Sequence, residues 1–222
     1  MNIKYSNDKK VSFYEDTHTY LLDGKKLKSV TQYISQFKAP FDKERISLAY
    51  AKKHNLTQKE VLDMWTKKGK DACNMGTFVH AIFEDYILGI PIKTDDNYPK
   101  CKTAESVIKD YFTSNRLTPV ETELIVYNDN YAGQIDCIAK NNKGEYFILD
   151  WKTNGEIKRS NHWQNMTGIY ENFDDCAYNH YSIQLNAYKG MCKEYDIKGC
   201  FIVHLKEDSY EFIKALDIDV RL

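Results

Sequence analysis

The fold is decided by residues 119–153, which read PVETELIVYNDNYAGQIDCIAKNNKGEYFILDWKT. Three segments of this stretch are rich in β-branched and aromatic residues, and they run from Pro119 to Tyr127, from Ala132 to Ala139 and from Tyr146 to Trp151. The short connections between them are rich in asparagine, aspartate and glycine, which favour turns. The sequence therefore predicts three consecutive strands that pair as an antiparallel meander.

Helical patterns surround these strands. Apolar residues recur at helical spacing in five segments, at about residues 30–37, 42–54, 58–88, 102–114 and 178–195. Thr57 and Glu60 have the spacing of a capping box, which predicts that a helix begins there. Gly69 and Gly76 are expected to interrupt the long third segment. Most of the helical sequence therefore precedes the strands, and one helix follows them.

Further strands are predicted near both ends of the chain. Val11 to Glu15 and Thr19 to Leu22 alternate in polarity, and Asp23-Gly24 after them is a turn signal, so the chain is expected to start with a hairpin. Cys200 to Leu205 has the pattern of a buried strand, and a last short strand is expected around Tyr210 to Lys214. The predicted class is α/β, with a central mixed sheet flanked by helices, in a single domain of 222 residues.

Composition narrows the class of protein. The chain has 42% hydrophobic and 28% charged residues and a net charge of -1, so any site for a polyanion must be local. Met1 to Lys10 is polar, and no run of about 18 apolar residues suggests a membrane span, so we expect no membrane partner and a cytoplasmic protein. The six cysteines form no C-x-x-C pair, which argues against a zinc site and an iron–sulfur cluster.

Two of the predicted strands carry a group of residues suited to metal chemistry. On a strand, Asp150 and Lys152 point to the same side, whereas Leu149 and Trp151 point to the other. If the preceding strand pairs across the turn, Asp136 lies near Asp150, and two carboxylates suit Mg²⁺ or Mn²⁺. The alternative is a surface ion pair between Asp150 and Lys152, with Asp136 an unrelated turn residue.

Four motifs occur in an order that resembles a known family. They are Gly76-Thr77-x-x-His80-x-x-x-Glu84, Gly133-x-x-Asp136, Asp150-x-Lys152-Thr153 and Gln184-Leu185-x-x-Tyr188. Together they resemble the PD-(D/E)XK nucleases of the RecB-like exonuclease branch, in its stand-alone phage or bacterial type. The resemblance implies a restriction-endonuclease-like αβββαβ core over residues 76–206, with an N-terminal hairpin and helical addition over 1–75 and an extension over 207–222.

The resemblance also implies roles for individual residues. His80, Asp136 and Asp150 are expected to bind a Mg²⁺ or Mn²⁺ ion together with the backbone carbonyl of Trp151. Lys152 is expected to be the catalytic lysine, which orients the attacking water or stabilises the developing charge. Without the resemblance, a helix histidine such as His80 is more often a hydrogen-bonded structural residue.

Supporting roles are expected for a second group of residues. Gln184 and Tyr188 match the motif that lines the active site and contacts DNA, although a hydrogen-bonded core pair would also explain them. Glu84 and Thr153 are further candidates, and Glu84 is equally well explained as a helix carboxylate paired with a neighbour. Glu123 ranks above Glu121 as a peripheral acidic residue of the site.

The segment after Lys152 is rich in aromatic residues. Trp163, Tyr170, Phe173 and Tyr178 could stack on unpaired bases, and packing onto the core is the more common explanation for such residues. The chain contains no G-x-x-x-x-G-K-[ST] phosphate loop, so no helicase activity is indicated.

These features lead to an expected function. It is a metal-dependent exonuclease that hydrolyses phosphodiester bonds from DNA ends in recombination, repair or phage DNA metabolism, in a bacterial or phage-infected cell. DNA is the expected partner, and a homo-oligomer or a recombination-protein partner is compatible with the sequence. The alternatives are a catalytically inactive nucleic-acid-binding protein with the nuclease fold, a structure-specific endonuclease, and a metal-dependent hydrolase of another phosphoester.

Overall fold

A computed structural model of the chain describes residues 3–222. Within that range, nine strands form a mixed sheet and helices flank it, which confirms the predicted α/β class. The strands are β1 Ile3–Tyr5, β2 Val11–Tyr14, β3 Thr19–Leu22, β4 Lys25–Ser29, β5 Leu117–Tyr127, β6 Tyr131–Asn141, β7 Tyr146–Lys152, β8 Ile197–Leu205 and β9 Tyr210–Lys214. The helices are α1 Val30–Ser35, α2 Lys43–His54, α3 Gln58–Ile87, α4 Lys100–Val107 and α5 Ala177–Met191.

The centre of the sheet is the predicted meander. Strands β5, β6 and β7 pair antiparallel in sequence order, and Cys137 of β6 lies opposite Leu149 of β7. Strand β8 then pairs parallel with β7, which requires a crossover, and α5 provides it. Strand β9 pairs antiparallel with β8, so part of the expected C-terminal extension completes the edge of this sheet.

The N-terminal strands are more extensive than the predicted hairpin. Strands β1 to β4 pair antiparallel in sequence order, and the Asp23-Gly24 turn joins β3 to β4. Asp23 and Gly24 have φ values of 48° and 84°, a conformation that glycine adopts without strain. Strand β4 pairs in parallel with the first two residues of β6, which joins the N-terminal strands to the meander.

Helix α3 is continuous over 30 residues. The predicted capping box is confirmed, since the Thr57 side chain accepts from the backbone N–H of Glu60 and the Glu60 side chain accepts from that of Thr57. The predicted breaks at Gly69 and Gly76 are wrong. A glycine inside a helix costs only about 1 kcal/mol relative to alanine, which is too little to interrupt a helix that is capped and packed elsewhere. The expected boundary at residue 76 therefore lies inside α3.

Two apolar layers cover the two faces of the central sheet. On one face, Leu149 and Trp151 pack with Val79, Ile82 and Phe83 of α3 and with α4, which continues as a π-helical segment over Ile108–Thr113. The Trp151 ring stacks on that of Phe83, with centroids 3.9 Å apart. On the other face, α1 and α5 pack on residues that include Ile135 and Ile148. None of the helices described within residues 3–222 is long and apolar enough to cross a membrane.

Candidate metal centre

Asp136 joins the middle strand of the meander to its neighbour. Its Oδ2 atom accepts a hydrogen bond of 2.8 Å from the backbone N–H of Trp151 on β7. The side chain is 12% exposed, so the carboxylate is largely buried. The alternative of an unrelated turn aspartate is therefore wrong, because Asp136 lies within β6 and contacts the strand that carries Asp150 and Lys152.

His80 of α3 lies against the same two groups. Its Nε2–H donates to the carbonyl oxygen of Trp151 at 3.0 Å, and its Nδ1 lies 3.7 Å from Asp136 Oδ2. Because a carbonyl can only accept, this hydrogen bond places the proton on Nε2 and leaves Nδ1 facing the carboxylate. His80, Asp136 and the Trp151 carbonyl thus lie together, while their binding of a metal ion stays a prediction.

Glu123 completes a compact group of ligand atoms. One potential ligand atom from each of His80, Glu123 and Asp136 lies within 4.8 Å of the other two. Glu123 has a φ of 54° in β5, which departs from the extended conformation of its neighbours. Glu121 has a different environment, since it accepts a hydrogen bond from Tyr195. The preference for Glu123 over Glu121 agrees with this geometry. Glu123 was expected to be peripheral, however, and it is a member of the cluster.

Asp150 and Lys152 form a buried ion pair beside this cluster. Their side chains are 3% and 17% exposed, and Lys152 Nζ lies 2.5 Å from Asp150 Oδ2. The alternative of a surface ion pair is therefore wrong. The partner of this buried carboxylate oxygen is therefore the Lys152 ammonium. A buried charge is costly unless an opposite charge offsets it, so the pair accounts for the burial of Asp150.

Burial and charge together set the protonation of these groups. Burial and the nearby charge of Asp136 raise the pKa of Glu123 to about 8, against the opposing effect of Lys4. Burial also raises the pKa of Asp150, against the opposing charge of Lys152. For Lys152, burial lowers the pKa, but the carboxylates of Asp150 and Asp136 outweigh it and the net direction is upward. The site thus concentrates negative charge where water is largely excluded.

The donor set fits a hard divalent cation. Carboxylate oxygens and one imidazole nitrogen suit Mg²⁺ or Mn²⁺, and no thiolate is among them. His80, Glu123 and Asp136 could therefore hold the ion, with Asp150 adjacent.

Glu84 pairs with a neighbouring basic residue, which was the alternative to a role in the active site. It accepts a hydrogen bond of 3.1 Å from Lys4, whose ammonium also lies 3.1 Å from Glu15 and 3.6 Å from Glu123. Lys4 lies on β1. No local sequence pattern predicts its contact with Glu84, because the two residues are 80 positions apart.

Gln184 and Tyr188 form a hydrogen-bonded pair on α5. Gln184 donates to the Tyr188 hydroxyl at 2.8 Å, and Tyr188 is only 5% exposed. A Cβ atom added to Gly133 would lie 2.1 Å from Cε1 of Tyr188, so the glycine gives the ring its space. Tyr188 thus has a packing role, and Gln184 is half-buried.

An aromatic ring of α5 lies against Lys152, and none of the four sequence motifs includes it. The Lys152 ammonium lies 4.9 Å from the centre of the Tyr181 ring, and the Tyr181 hydroxyl donates to Asn154 Oδ1 at 2.9 Å. Thr153 lies against α3, with its Oγ1 3.6 Å from the position of a Cβ on Gly76. In the sequence, only the spacing between Tyr181 and Gln184 could have indicated that Tyr181 lies near the site. The two residues are three positions apart, so they lie on one side of the same helix.

The aromatic residues after Lys152 divide into two groups. Tyr170 is buried at 3% exposure, and Phe173 and Tyr178 pack against the same core, so packing explains these three. Trp163 is 96% exposed. Stacking on bases therefore remains a prediction for Trp163 alone.

Comparisons with known proteins give no family. No protein-family model matches the chain, and no curated protein does. Among solved structures, one similar chain is titled "Crystal structure of SSO0001"; it is 17% identical, and the alignment covers 85% of this chain and 68% of that one with a TM-score of 0.31. A likeness at this level carries no argument about function, which must therefore come from the site.

Proposed function

We propose that the chain is a Mg²⁺- or Mn²⁺-dependent deoxyribonuclease of the RecB-like PD-(D/E)XK branch, which hydrolyses DNA from its ends. The observation that supports this most is the convergence of His80, Asp136 and the Trp151 carbonyl beside the buried Asp150–Lys152 pair. Three separate elements, α3, β6 and β7, supply these groups. Chance placement of surface residues does not explain a largely buried lysine–carboxylate pair beside a histidine and a second carboxylate.

The arrangement of elements is compatible with the proposed core. Helix α3 precedes an antiparallel meander, and α5 then leads to β8, which pairs parallel with the strand that carries Asp150 and Lys152. This is the order helix, three strands, helix, strand that a restriction-endonuclease-like core requires. The N-terminal strands and α2 would be additions to that core.

Each side chain has a role in the proposed reaction. A divalent cation held by His80, Glu123 and Asp136 would activate water and offset the charge of the phosphate. The Lys152 ammonium, held by Asp150, would orient the attacking water or stabilise the charge that develops on the phosphate oxygens. The Trp151 N–H fixes the Asp136 carboxylate, so this ligand needs little reorganisation.

The decisive experiment measures cleavage of end-labelled linear DNA and of covalently closed circular DNA with Mn²⁺, with Mg²⁺ and with a chelator. Linear DNA should be degraded only with metal. Lys152→Ala should lower the rate by at least about 100-fold, a typical loss when a group that stabilises developing charge is removed. Lys143→Ala, at the exposed turn between β6 and β7, is the matched control and should leave the rate unchanged.

Other outcomes would change the proposal in defined ways. Cleavage of closed circles at a similar rate would indicate an endonuclease. Absence of Mn²⁺ binding by calorimetry, together with DNA binding, would indicate an inactive nuclease-fold protein. Cleavage that survives a chelator or Lys152→Ala would contradict the mechanism.

A further inference from the structure

Two buried side chains bind the backbone of the loop that follows β7. Lys100, at the start of α4, donates from Nζ to the carbonyl oxygens of Thr153 and Asn154 at 2.5 and 3.3 Å. His204 of β8 donates from Nε2 to the same carbonyl of Asn154 at 2.7 Å. Two elements distant in sequence thus converge on the two residues directly after Lys152.

The position of Lys100 carries an energetic cost. It is only 8% exposed, and both hydrogen-bond acceptors of its ammonium are backbone carbonyls. Burial lowers its pKa, and the charge of Glu207 opposes this only in part. A buried ammonium whose acceptors are all neutral costs stability, so stability alone does not explain a lysine at this position.

The held loop leads back to the lysine of the candidate site. Asn154 Oδ1 accepts the hydroxyl hydrogen bond of Tyr181 at 2.9 Å, and the Tyr181 ring lies 4.9 Å from Lys152 Nζ. The Lys152 ammonium also lies 2.5 Å from Asp150 Oδ2. The ammonium therefore contacts both a carboxylate and an aromatic ring, and Asn154 fixes the ring.

We infer that Lys100, His204, Asn154 and Tyr181 form a positioning network whose function is to hold the Lys152 ammonium at the reacting phosphate. This inference rests on the proposed nuclease function and adds residues outside the four motifs to it. None of the four is expected to touch the phosphate itself. Their effect is on the placement of Lys152, because a shift of about 1 Å in a reacting group can cost up to about 100-fold in rate.

Tyr181 provides the first test. Tyr181→Leu removes the ring and should lower kcat about 10-fold while KM changes less than about twofold, because placement of the catalytic group and not DNA binding is lost. Tyr181→Phe keeps the ring and removes only the hydroxyl, so it should have a smaller effect of about threefold. Asn154→Ala should act like Tyr181→Phe, and the double variant should be no worse than either single one.

Tyr178 is the matched control for this helix. Like Tyr181 it lies on α5, donates its hydroxyl to an oxygen, here the Lys214 carbonyl at 2.9 Å, and has a cation over its ring, here Arg159 at 5.9 Å. Its hydroxyl bonds to Lys214 and not to Asn154, and the cation over its ring is Arg159 and not Lys152. Tyr178→Phe should therefore leave kcat and KM unchanged.

Lys100 provides the second test. Lys100→Met should lower kcat about 10-fold, Lys100→Arg should restore part of the activity because it keeps the donors, and Lys102→Met at an exposed position of α4 is the control. If Lys100→Met does not fold, Asn154→Ala still tests the network at an exposed position. An unchanged kcat in Tyr181→Leu and Asn154→Ala would overturn the inference.

A readout that does not depend on activity separates this inference from the nuclease proposal. In metal-free crystal structures, Lys152 Nζ should move by about 1 Å or more in Tyr181→Leu and stay in place in Tyr178→Phe. If the wild-type protein does not cleave DNA, the nuclease proposal fails, whereas this displacement still tests the network. If Lys152 does not move, the network is wrong even where cleavage is confirmed.

Discussion

Two residues, Gly133 and Glu123, show how a single position on a strand can create space or place a charge. Gly133 leaves room for the Tyr188 ring, which would meet an added Cβ at 2.1 Å. Glu123 brings a carboxylate next to His80 and Asp136 by adopting a φ of 54°. Gly133 affects packing and Glu123 affects charge, so the contribution of each residue can be measured separately.

Gly133→Ala should destabilise the protein by about 1–3 kcal/mol, because a methyl group in this packed position forces the Tyr188 ring to move. Urea unfolding followed by circular dichroism measures the change. Gly155→Ala is the control, since an added Cβ there meets nothing within 4 Å, and it should change the free energy of unfolding by less than about 0.5 kcal/mol. Equal effects of the two substitutions would contradict the packing role of Gly133.

The metal-free protein should lose stability between pH 5.5 and pH 8.5. The pKa of Glu123 is raised from 4.5 to about 8, so the folded state favours the protonated carboxyl. The stability that this supplies is fully present below about 4.5 and is lost as the pH rises through about 8, by at most about 1.4 kcal/mol per pH unit. Thermal unfolding in a chelator should show a lower Tm at the higher pH. Glu123→Gln should flatten this dependence, whereas Glu171→Gln, at an exposed position, should retain it.

At the scale of elements, α3 shows how a helix overrides its local weak points. Its capping box and the buried Val61, Val79 and Phe83 hold it together through two glycines. Its C-terminal half places His80 against β6 and β7, and Glu84, one turn further on, against Lys4 of β1. An unbroken helix keeps the histidine fixed relative to the packed residues on its other face.

Gly69→Ala should therefore stabilise the protein by about 0.5–1 kcal/mol, because alanine loses less backbone entropy in a helix and its methyl group here meets nothing within 4 Å. Gly24→Ala should have the opposite sign, since Gly24 has a φ of 84° in the β3–β4 turn. Differential scanning calorimetry of both variants compares the two directions. Destabilisation by Gly69→Ala would show that the helix is distorted at this point.

At the scale of the whole molecule, the site exists only where several elements meet. Helix α3 supplies the histidine, β5, β6 and β7 supply the carboxylates, and α5 supplies the ring that faces Lys152. A ligand that joins these elements should bind the folded state and not the unfolded chain. Cation binding should thus report on the integrity of the whole assembly.

Mn²⁺ should raise the stability of the wild-type protein by about 2.7 kcal/mol at 100 times its Kd. Asp136→Asn should abolish this increase, because it removes a carboxylate of the cluster while the amide retains a similar size. Asp129→Asn, in the exposed β5–β6 turn, should leave it intact. Thermal unfolding with and without Mn²⁺ provides the measurement, and an equal increase in all three proteins would place the ion elsewhere.

The sequence by itself determined most of the elements and the local part of the site. Strand alternation placed Asp150 and Lys152 on one side of β7, the turn after β6 brought Asp136 next to β7, and the Thr57–Glu60 box marked the start of α3. These features depend on residues within a few positions of one another or across one tight turn. Short-range periodicity and turn chemistry therefore suffice to predict them.

Only the tertiary structure decided which distant residues complete the site. It placed Glu123 and not Glu121 beside His80, brought Lys4 to Glu84 across 80 residues, and tied Lys100 to the loop after Lys152 across 54 residues. No periodic pattern encodes such contacts. They depend on how the helices cross the sheet and on which side chains become buried when the chain folds. The local sequence sets the chemistry of β6 and β7, and long-range packing sets the environment in which that chemistry acts.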